Sequence, residues 1–518
     1  MEPYFYATED SITLYWELPE DSGVYEGYRI LVDGREAGIT NRTHYELTGL
    51  EAERNYEISL YRIPKTFKEN DGSKARGNAV EEAEQECPWK RVSITTTPHR
   101  RRLNVTQSPY RAAGDRHTMN TLVLQQAIDD CGPGETVYLP AGVYRTGALR
   151  LHSDMELYLE EGAVLLGTDN PEDYLPRIWS RFEGTELPCY QSLLNLGELD
   201  HDAGYNCKNV VIRGGGTIES GGRTLAERVI ADETVRLKDY LEELGDMIQE
   251  CEKPETIPGR VRPRLINMSN CQNITLSHVT LKNGASWNVH MIYSDHIVTD
   301  HCIFYSENIW NGDGWDPDSS TDCTVFGCTF YTGDDSVAIK SGKNPEGNTV
   351  NRPSARIRVF DCQCAFGHGI CIGSEMSGGV EDVSIWDCDM GNSLCGIEIK
   401  GTKKRGGYVR GVKVVNVRSA RVLFHSVGYN DDGVAAKEPP VFENCRFENL
   451  EILGEYYSRH RGYQECEAIE LCGFDMSGHE LRNIIFRNIT IGKEGQSRKQ
   501  TISLQFCEDI TLERVRCL

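Results

Sequence analysis

The chain has 518 residues, enough for two or three domains. Hydrophobic residues make up 39% and charged residues 26%, which allows a sizeable core and excludes wholesale disorder, and no run approaches the roughly 18 apolar residues of a membrane span. Asp and Glu outnumber Lys and Arg by 79 to 55, a formal charge of −24, so neither nucleic acid nor a membrane is expected as a partner, and an anionic substrate would need locally placed cations.

The opening, MEPYFYATED, has no basic stretch followed by an apolar run. No signal peptide is read there, and the expected compartment is the cytoplasm, or the exterior if the sequence has been trimmed. The 19 cysteines suit a reducing compartment as free, mostly buried thiols, and none has zinc-ligand spacing. Alternating apolar and polar residues predict strands at 11–18, 27–34, 44–50, 55–63 and 91–97, with turns at 19–23 and Asp33-Gly34 between them. Trp16 on an early strand, and Leu50 ahead of Tyr56 as in a tyrosine corner, resemble a fibronectin type III module over residues 1–98. It carries no catalytic constellation, so a spacer or carbohydrate-facing role is expected. The polar stretch 65–87 is read as an insertion or loop, and 97–102 as a linker.

From 103 a longer domain begins. Residues 122–131 predict a helix stopped by Gly132-Pro133-Gly134, followed by short strands. Leu225, Val229, Leu237, Leu241, Leu244 and Ile248 lie near helical spacing and predict a helical insertion over about 223–253, with a packing role. The main signal is a repeat of the pattern apolar, x, apolar, x, x, apolar, x, apolar. It starts at 274, 297, 323, 357, 383, 412, 445, 484 and 510, at intervals of roughly 23 to 39 residues. That unit is too short for a strand plus a crossover helix. The expected fold is all-β: a right-handed parallel β-helix over 103–518, preceded by a small β-sandwich. Cys302, Cys328, Cys362 and Cys388 then share one inward column, flanked by Val279 and Val417, as a thiol ladder. Metal or redox use is the alternative for such thiols.

The segments after each repeat align as polar columns. The first holds Asp313, Asp335, His368 and Cys395, with Trp287 above. The second holds His290, Asp316, Ala338, Cys371 and Glu398, and the third Ile292, Asp318, Lys340, Gly373 and Lys400. Column neighbours lie about 4.8 Å apart, so Asp313, Asp334, Asp335 and His368 converge, with Lys340 and Lys400 in reach. Stacked like charges raise one another's pKa and cost stability unless they are used, and the flanking glycines are expected to let a ligand approach the backbone. Paired carboxylates of unlike pKa suit glycoside hydrolysis, while calcium binding is the competing use of clustered Asp and would suit a lyase.

In order, Asn311-Gly312-Asp313-Gly314, Gly333-Asp334-Asp335, Gly367-His368-Gly369 and Ile399-Lys400, with Arg405-Gly406-Gly407 following, resemble the motifs of glycoside hydrolase family 28. Residues 373–380 and 403–410 resemble its bacterial exo-acting branch. The resemblance implies inverting hydrolysis of α-linked galacturonate in a pectic oligosaccharide or polysaccharide, with no cofactor and no metal. It makes Asp334 the general acid, Asp313 and Asp335 the pair that activates water, His368 the residue that tunes the acid, and Lys400 the partner of a galacturonate carboxylate. Lys340, Glu398, His290 and Asp316 join as candidate substrate-binding residues from their columns. One departure stands out: Glu398 occupies the place of a family arginine. Facing the cleft beside Lys400, it would repel a carboxylate unless paired and would shift preference toward another pectic linkage, such as rhamnogalacturonan. Lys403, Lys404, Arg405 or a cation within 260–264 would replace the lost charge. Two rival readings share the architecture: a calcium-dependent pectin lyase and a non-catalytic carbohydrate-binding β-helix.

Overall fold

The computed structural model describes residues 3–65, 87–244, 261–427, 434–493 and 502–518. Most of the polar stretch 65–87 therefore lies outside the described residues, as does the end of the expected helical insertion, including Ile248. The chain divides into two units, Met1–Arg101 and Arg102–Leu518.

The first unit is a β-sandwich. Tyr4–Ala7, Ser11–Tyr15 and His44–Thr48 form one antiparallel sheet, and Arg35–Thr40, Tyr25–Val32, Asn55–Pro64 and Lys90–Thr95 form the other. Between them Ile12, Leu14, Trp16, Tyr28, Ile30, Ile58 and Leu60 are buried, with Trp16 edge-on to Tyr28 at 4.9 Å. The Glu51 N–H donates to the Tyr56 hydroxyl at 2.8 Å, the bond that makes a tyrosine corner. Two strands escaped the sequence pattern. Arg35–Thr40 is an edge strand with no buried residue, and Tyr4–Ala7 has only four residues, so neither shows an apolar alternation.

The second unit is a parallel β-helix. The repeats from 274 to 412 each supply two short strands to a 23-stranded sheet, those at 445, 484 and 510 a single long one, and the segments between repeats supply one strand each to an 11-stranded sheet. The repeat's spacing has a simple cause: one residue between the paired strands adopts a left-handed conformation and turns the chain. His278 (φ 59), His301 (φ 49), Gly327 (φ 62), Asp361 (φ 48), Asp387 (φ 53) and Asn416 (φ 55) hold this place in successive coils. Asn, Asp, His and Gly accept that conformation more readily than β-branched residues do. Because every coil turns after the same number of residues, like stacks on like. Phe326, Phe360 and Trp386 form one stack, with centroids 4.9 and 4.3 Å apart, and Phe304 lies on Phe330 at 4.5 Å.

The thiol ladder is of this kind. Pairing of Thr280 with Ile303, Ile303 with Thr329, Thr329 with Gln363, and Gln363 with Asp389 aligns Cys302, Cys328, Cys362 and Cys388 one residue before each. All four are buried, and each thiol donates to the carbonyl two residues earlier at 3.2–3.3 Å. Burial pushes the thiols of Cys328, Cys362 and Cys388 well above their ordinary pKa.

The early helix runs Thr121–Asp129, and the insertion forms helices Gly222–Arg236 and Lys238–Leu244. Leu225, Ala226 and Val229 pack on the β-helix core, while Val235 is left outside. Buried Glu233 is held by Arg177 and Arg236, each at 2.5 Å.

Candidate active site

The 11-stranded sheet builds the site from successive strands: Val289–Ile292, Trp315–Asp318, Val337–Ile339, Gly369–Ile372, Gly396–Gly401 and Val422–Ser426. Their pairing places His290 against Asp316, Trp315 against Val337, Ala338 against Cys371, and Cys371 against Glu398. Asp318 bridges to Lys340, and Lys400 pairs with His425. These registers put the chain into the three polar columns that the sequence alignment gives. They also extend the third column to His425, which sequence reasoning missed and one more aligned coil would have shown.

One cleft is lined by Glu183, Trp287, Asn311, Asp313, Asp334, Asp335, Lys340, Lys343, Gly373, Ser374, Glu375, Lys400 and Arg405. Asp334 of the lining and His368 beside it have side chains 27% and 31% exposed, and His368 Nδ1 lies 2.8 Å from Asp334 Oδ1 and 3.5 Å from Asp335 Oδ1. Burial opposes the charge on His368, but the carboxylates of Asp334 and Asp335 outweigh it and raise its pKa well above the usual imidazole value. Asp335 is buried. That disfavours its ionisation, yet Lys400 at 3.4 Å and His368 bring its pKa below the usual carboxylate value. Asp313 has the opposite balance: it forms a buried pair with Asp316, and burial, with Asp334 and Asp335 nearby, raises the proton affinity of that pair, while Lys340 at 3.5 Å from Asp313 opposes the rise. Burial and neighbouring charge thus spread the proton affinities of the carboxyls in the cleft.

Lys340 is nearly buried. It spans Asp313 and Glu375, at 3.5 and 3.3 Å, and its ammonium lies 4.9 Å over the Trp287 ring. Arg405 lies behind Glu375 at 3.6 Å and donates to Ser374 O and Asn344 Oδ1. Arg262 is also buried, but its guanidinium is spent on Trp310 O and Asn311 Oδ1. Lys403 and Lys404 do not line the cleft. Glu183, Lys343 and Glu375 were not legible in the repeat, because they stand on its irregular connections. Glu183 caps the hairpin of Ile178–Phe182 and Thr185–Cys189, whose turn is fastened by Lys343 N–H to Gly184 O at 2.9 Å.

Three sequence expectations need correction. Glu398 does not face the cleft as an open negative charge. Only 5% of it is exposed, and it lies 3.0 Å from Lys400 Nζ and 2.6 Å from His425 Nε2. Burial works against its ionisation, but those partners hold its pKa far below the ordinary value. His290 and Asp316 are not placed to touch substrate, since both are wholly buried. His290 Nε2 meets Asp318 at 3.2 Å, Asp318 is gripped by Arg181 of the hairpin at 2.8 Å, and burial lowers the His290 pKa to about 4. Finally, the motif glycines serve packing between coils. A Cβ on Gly314 would meet Ser336 O at 2.4 Å, and one on Gly369 would meet Gly396 O at 2.2 Å.

Among the described residues two ligand sets that share Asp335 have metal-compatible spacing, Asp334/Asp335/His368 and the fully buried Asp335/Cys371/Glu398, each with donor atoms within 4.8 Å. Both already contain a cation among the carboxylates, from His368 in the first and Lys400 in the second, so the charge a metal would neutralise is met by the chain itself.

Comparison with known proteins places this geometry. Residues 6–75 match the pattern described as Fibronectin type III domain, and residues 203–427 match Glycosyl hydrolases family 28. The exo-poly-alpha-D-galacturonosidase of Dickeya chrysanthemi is 26% identical over 98% of this chain and 89% of its own. The endo-polygalacturonase of Pectobacterium carotovorum subsp. carotovorum is 30% identical over 57% of this chain and 68% of its own. The family 28 exopolygalacturonase of Yersinia enterocolitica shares the fold with a TM-score of 0.76 at 22% identity, covering 100% of this chain and 98% of that one. With its β-helix and carboxylate cleft, the chain belongs to glycosyl hydrolases family 28.

Proposed function

We propose that the protein hydrolyses α-linked galacturonate units from pectic chains, with inversion and from a chain end. The observation that carries this reading is the cleft itself, where Asp334, open to solvent and bonded to a protonated His368, stands beside buried Asp313 and Asp335 and faces Lys340, Lys343, Lys400 and Arg405. Asp334 protonates the glycosidic oxygen. His368 Nδ1–H, 2.8 Å from Asp334 Oδ1, stabilises the carboxylate that this transfer leaves. Asp313 and Asp335 take the proton of an attacking water on the other side of the sugar. Lys400, shared between Asp335 and Glu398, is placed to turn toward a substrate carboxylate, with Lys343 and Arg405 as further cations of the lining. Exo action is supported by the whole-length similarity to the Dickeya chrysanthemi exo-poly-alpha-D-galacturonosidase and by the hairpin turn at Glu183, which walls one side of the cleft. A cytoplasmic site of action on imported oligomers goes with this reading, supported by the buried free thiols.

The test is product analysis on oligogalacturonides and rhamnogalacturonan fragments, with NMR of the first-formed anomer. Galacturonate monomer or dimer of inverted configuration is the expected product. An unsaturated, ultraviolet-absorbing product lost on chelation would replace this reading by a lyase, retention would overturn the mechanism, and binding without turnover would make the protein a carbohydrate-binding β-helix.

A further inference from the structure

Asp316 is the carboxyl that the cleft does not use. It lies on the strand Trp315–Asp318 with no exposed surface and is absent from the cleft lining. Neither of its oxygens finds a hydrogen-bond donor, and Oδ1 of its neighbour Asp313 finds none either. The two side chains are nonetheless within hydrogen-bonding reach of each other. A buried carboxylate without a donor is costly, and two facing each other do not both ionise.

The surroundings decide where the shared proton rests. One coil earlier His290 has its Nε2 on Asp318 and its Nδ1 without a partner, so it offers Asp316 no proton. One coil later the column holds uncharged Ala338, then Cys371. Asp335 adds a negative charge that Lys400 holds. Lys340 sets its ammonium 3.5 Å from Asp313 Oδ2, its other close carboxylate being Glu375 at 3.3 Å. The cation therefore selects Asp313 as the ionised member and leaves the proton on Asp316.

We infer that Asp316 carries this proton in the resting protein and donates it as a hydrogen bond to Asp313 Oδ1, fixing the direction and ionisation of the carboxylate that activates water. Asp316 is thus a positioning residue, not a substrate contact. Burial, with the proximity of Asp313, raises the pKa of Asp316 well above the carboxylate range, and the last proton belongs to the pair. The role rests on the reading of Asp313 as a base given above.

The experiment compares wild type, Asp316→Asn and Asp316→Ala. Infrared difference spectra of the wild type at neutral pH should show a protonated carboxylic acid band that is missing in Asp316→Asn. On oligogalacturonides, Asp316→Ala should lose about tenfold to a hundredfold in kcat with KM unchanged, as expected for a misdirected base. Asp316→Asn, which keeps a donor, should recover most of that loss and change the pH profile, because one titrating carboxyl replaces a coupled pair. Absence of the acid band at neutral pH overturns the inference. So does a rise of KM in both variants, which would make Asp316 a substrate contact. Equal losses in the two variants with an unchanged pH profile would reduce it to a packing residue. Should the wild type show no galacturonide hydrolysis, the proposed function falls while the infrared comparison still decides the proton.

Discussion

Glu398→Arg restores the residue that the family pattern puts at this place, and the structure predicts that it harms the protein. Glu398 is 5% exposed and lies between Lys400 at 3.0 Å and His425 at 2.6 Å. Removing one partner of a buried pair costs about 3–5 kcal/mol, and the lower end applies here because Lys400 keeps Asp335 at 3.4 Å. An arginine also sets a new cation against Lys400, a repulsion of about 4 kcal/mol at 4 Å for a near-surface pair before side chains relax. Urea unfolding should therefore show Glu398→Arg destabilised by more than Glu398→Gln, with kcat/KM on oligogalacturonides lower than wild type in both. Adding His425→Glu to Glu398→Arg rebuilds an ion pair and should recover about 0.5–3 kcal/mol as coupling. If Glu398→Arg unfolds at the wild-type midpoint and gains activity on oligogalacturonides over rhamnogalacturonan fragments, the Lys400–Glu398–His425 clamp is wrong and the position is a plain specificity contact.

Asp334→Asn and Asp313→Asn should each lower kcat by about 10²- to 10⁴-fold in steady-state assays, and only Asp334→Asn should be relieved by a substrate whose leaving group needs no proton. His368 is raised in the folded state, so its contribution to stability is full below its unfolded pKa of about 6.5 and is lost as pH rises through the folded value. The stability gap between wild type and His368→Gln should accordingly be widest in acid and narrow toward alkaline pH. Cys302, Cys328, Cys362 and Cys388 should resist thiol reagents in the native protein and react on denaturation, and rapid native labelling of all four would contradict the inward column.

The columns were legible because a parallel β-helix repeats its geometry. One left-handed residue per repeat, such as His301 or Asp361, sets the turn, so an alignment of apolar positions carries through to the polar residues after them. The alignment tells which residues share a column and a face, but not what covers that face. His290 and Asp316 were taken for substrate contacts because their column also holds Glu398. The hairpin outside the repeat, with Phe182 stacked on Trp287 at 5.4 Å and Arg181 bonded to Asp318, shows why this end of the face is closed. Lys343 and Glu375 were missed for the same reason: both follow the third column on connections that obey no period. Arg405 was foreseen only as one of several cations, since a run of three basic residues does not say which one turns inward.

The charges of the cleft follow from the same geometry. The first column gives acids, Asp313 and Asp335, then His368; the third gives Lys340 and Lys400, then His425. Along a strand, residues two apart share a face, so the middle and third columns run side by side up the sheet, and the first column stands at the entry to each of these strands. Each buried acid then has a cation within reach, Lys340 one coil on from Asp313 and Lys400 two coils on from Asp335, and the sheet can stack carboxylates that would otherwise repel. Where the pattern puts a third acid, at Glu398 in the middle column, His425 stands in the next coil to meet it. Asp316 is the exception, a middle-column acid whose neighbour Lys340 is taken by Asp313 and Glu375, and a proton of its own is what remains to keep it neutral.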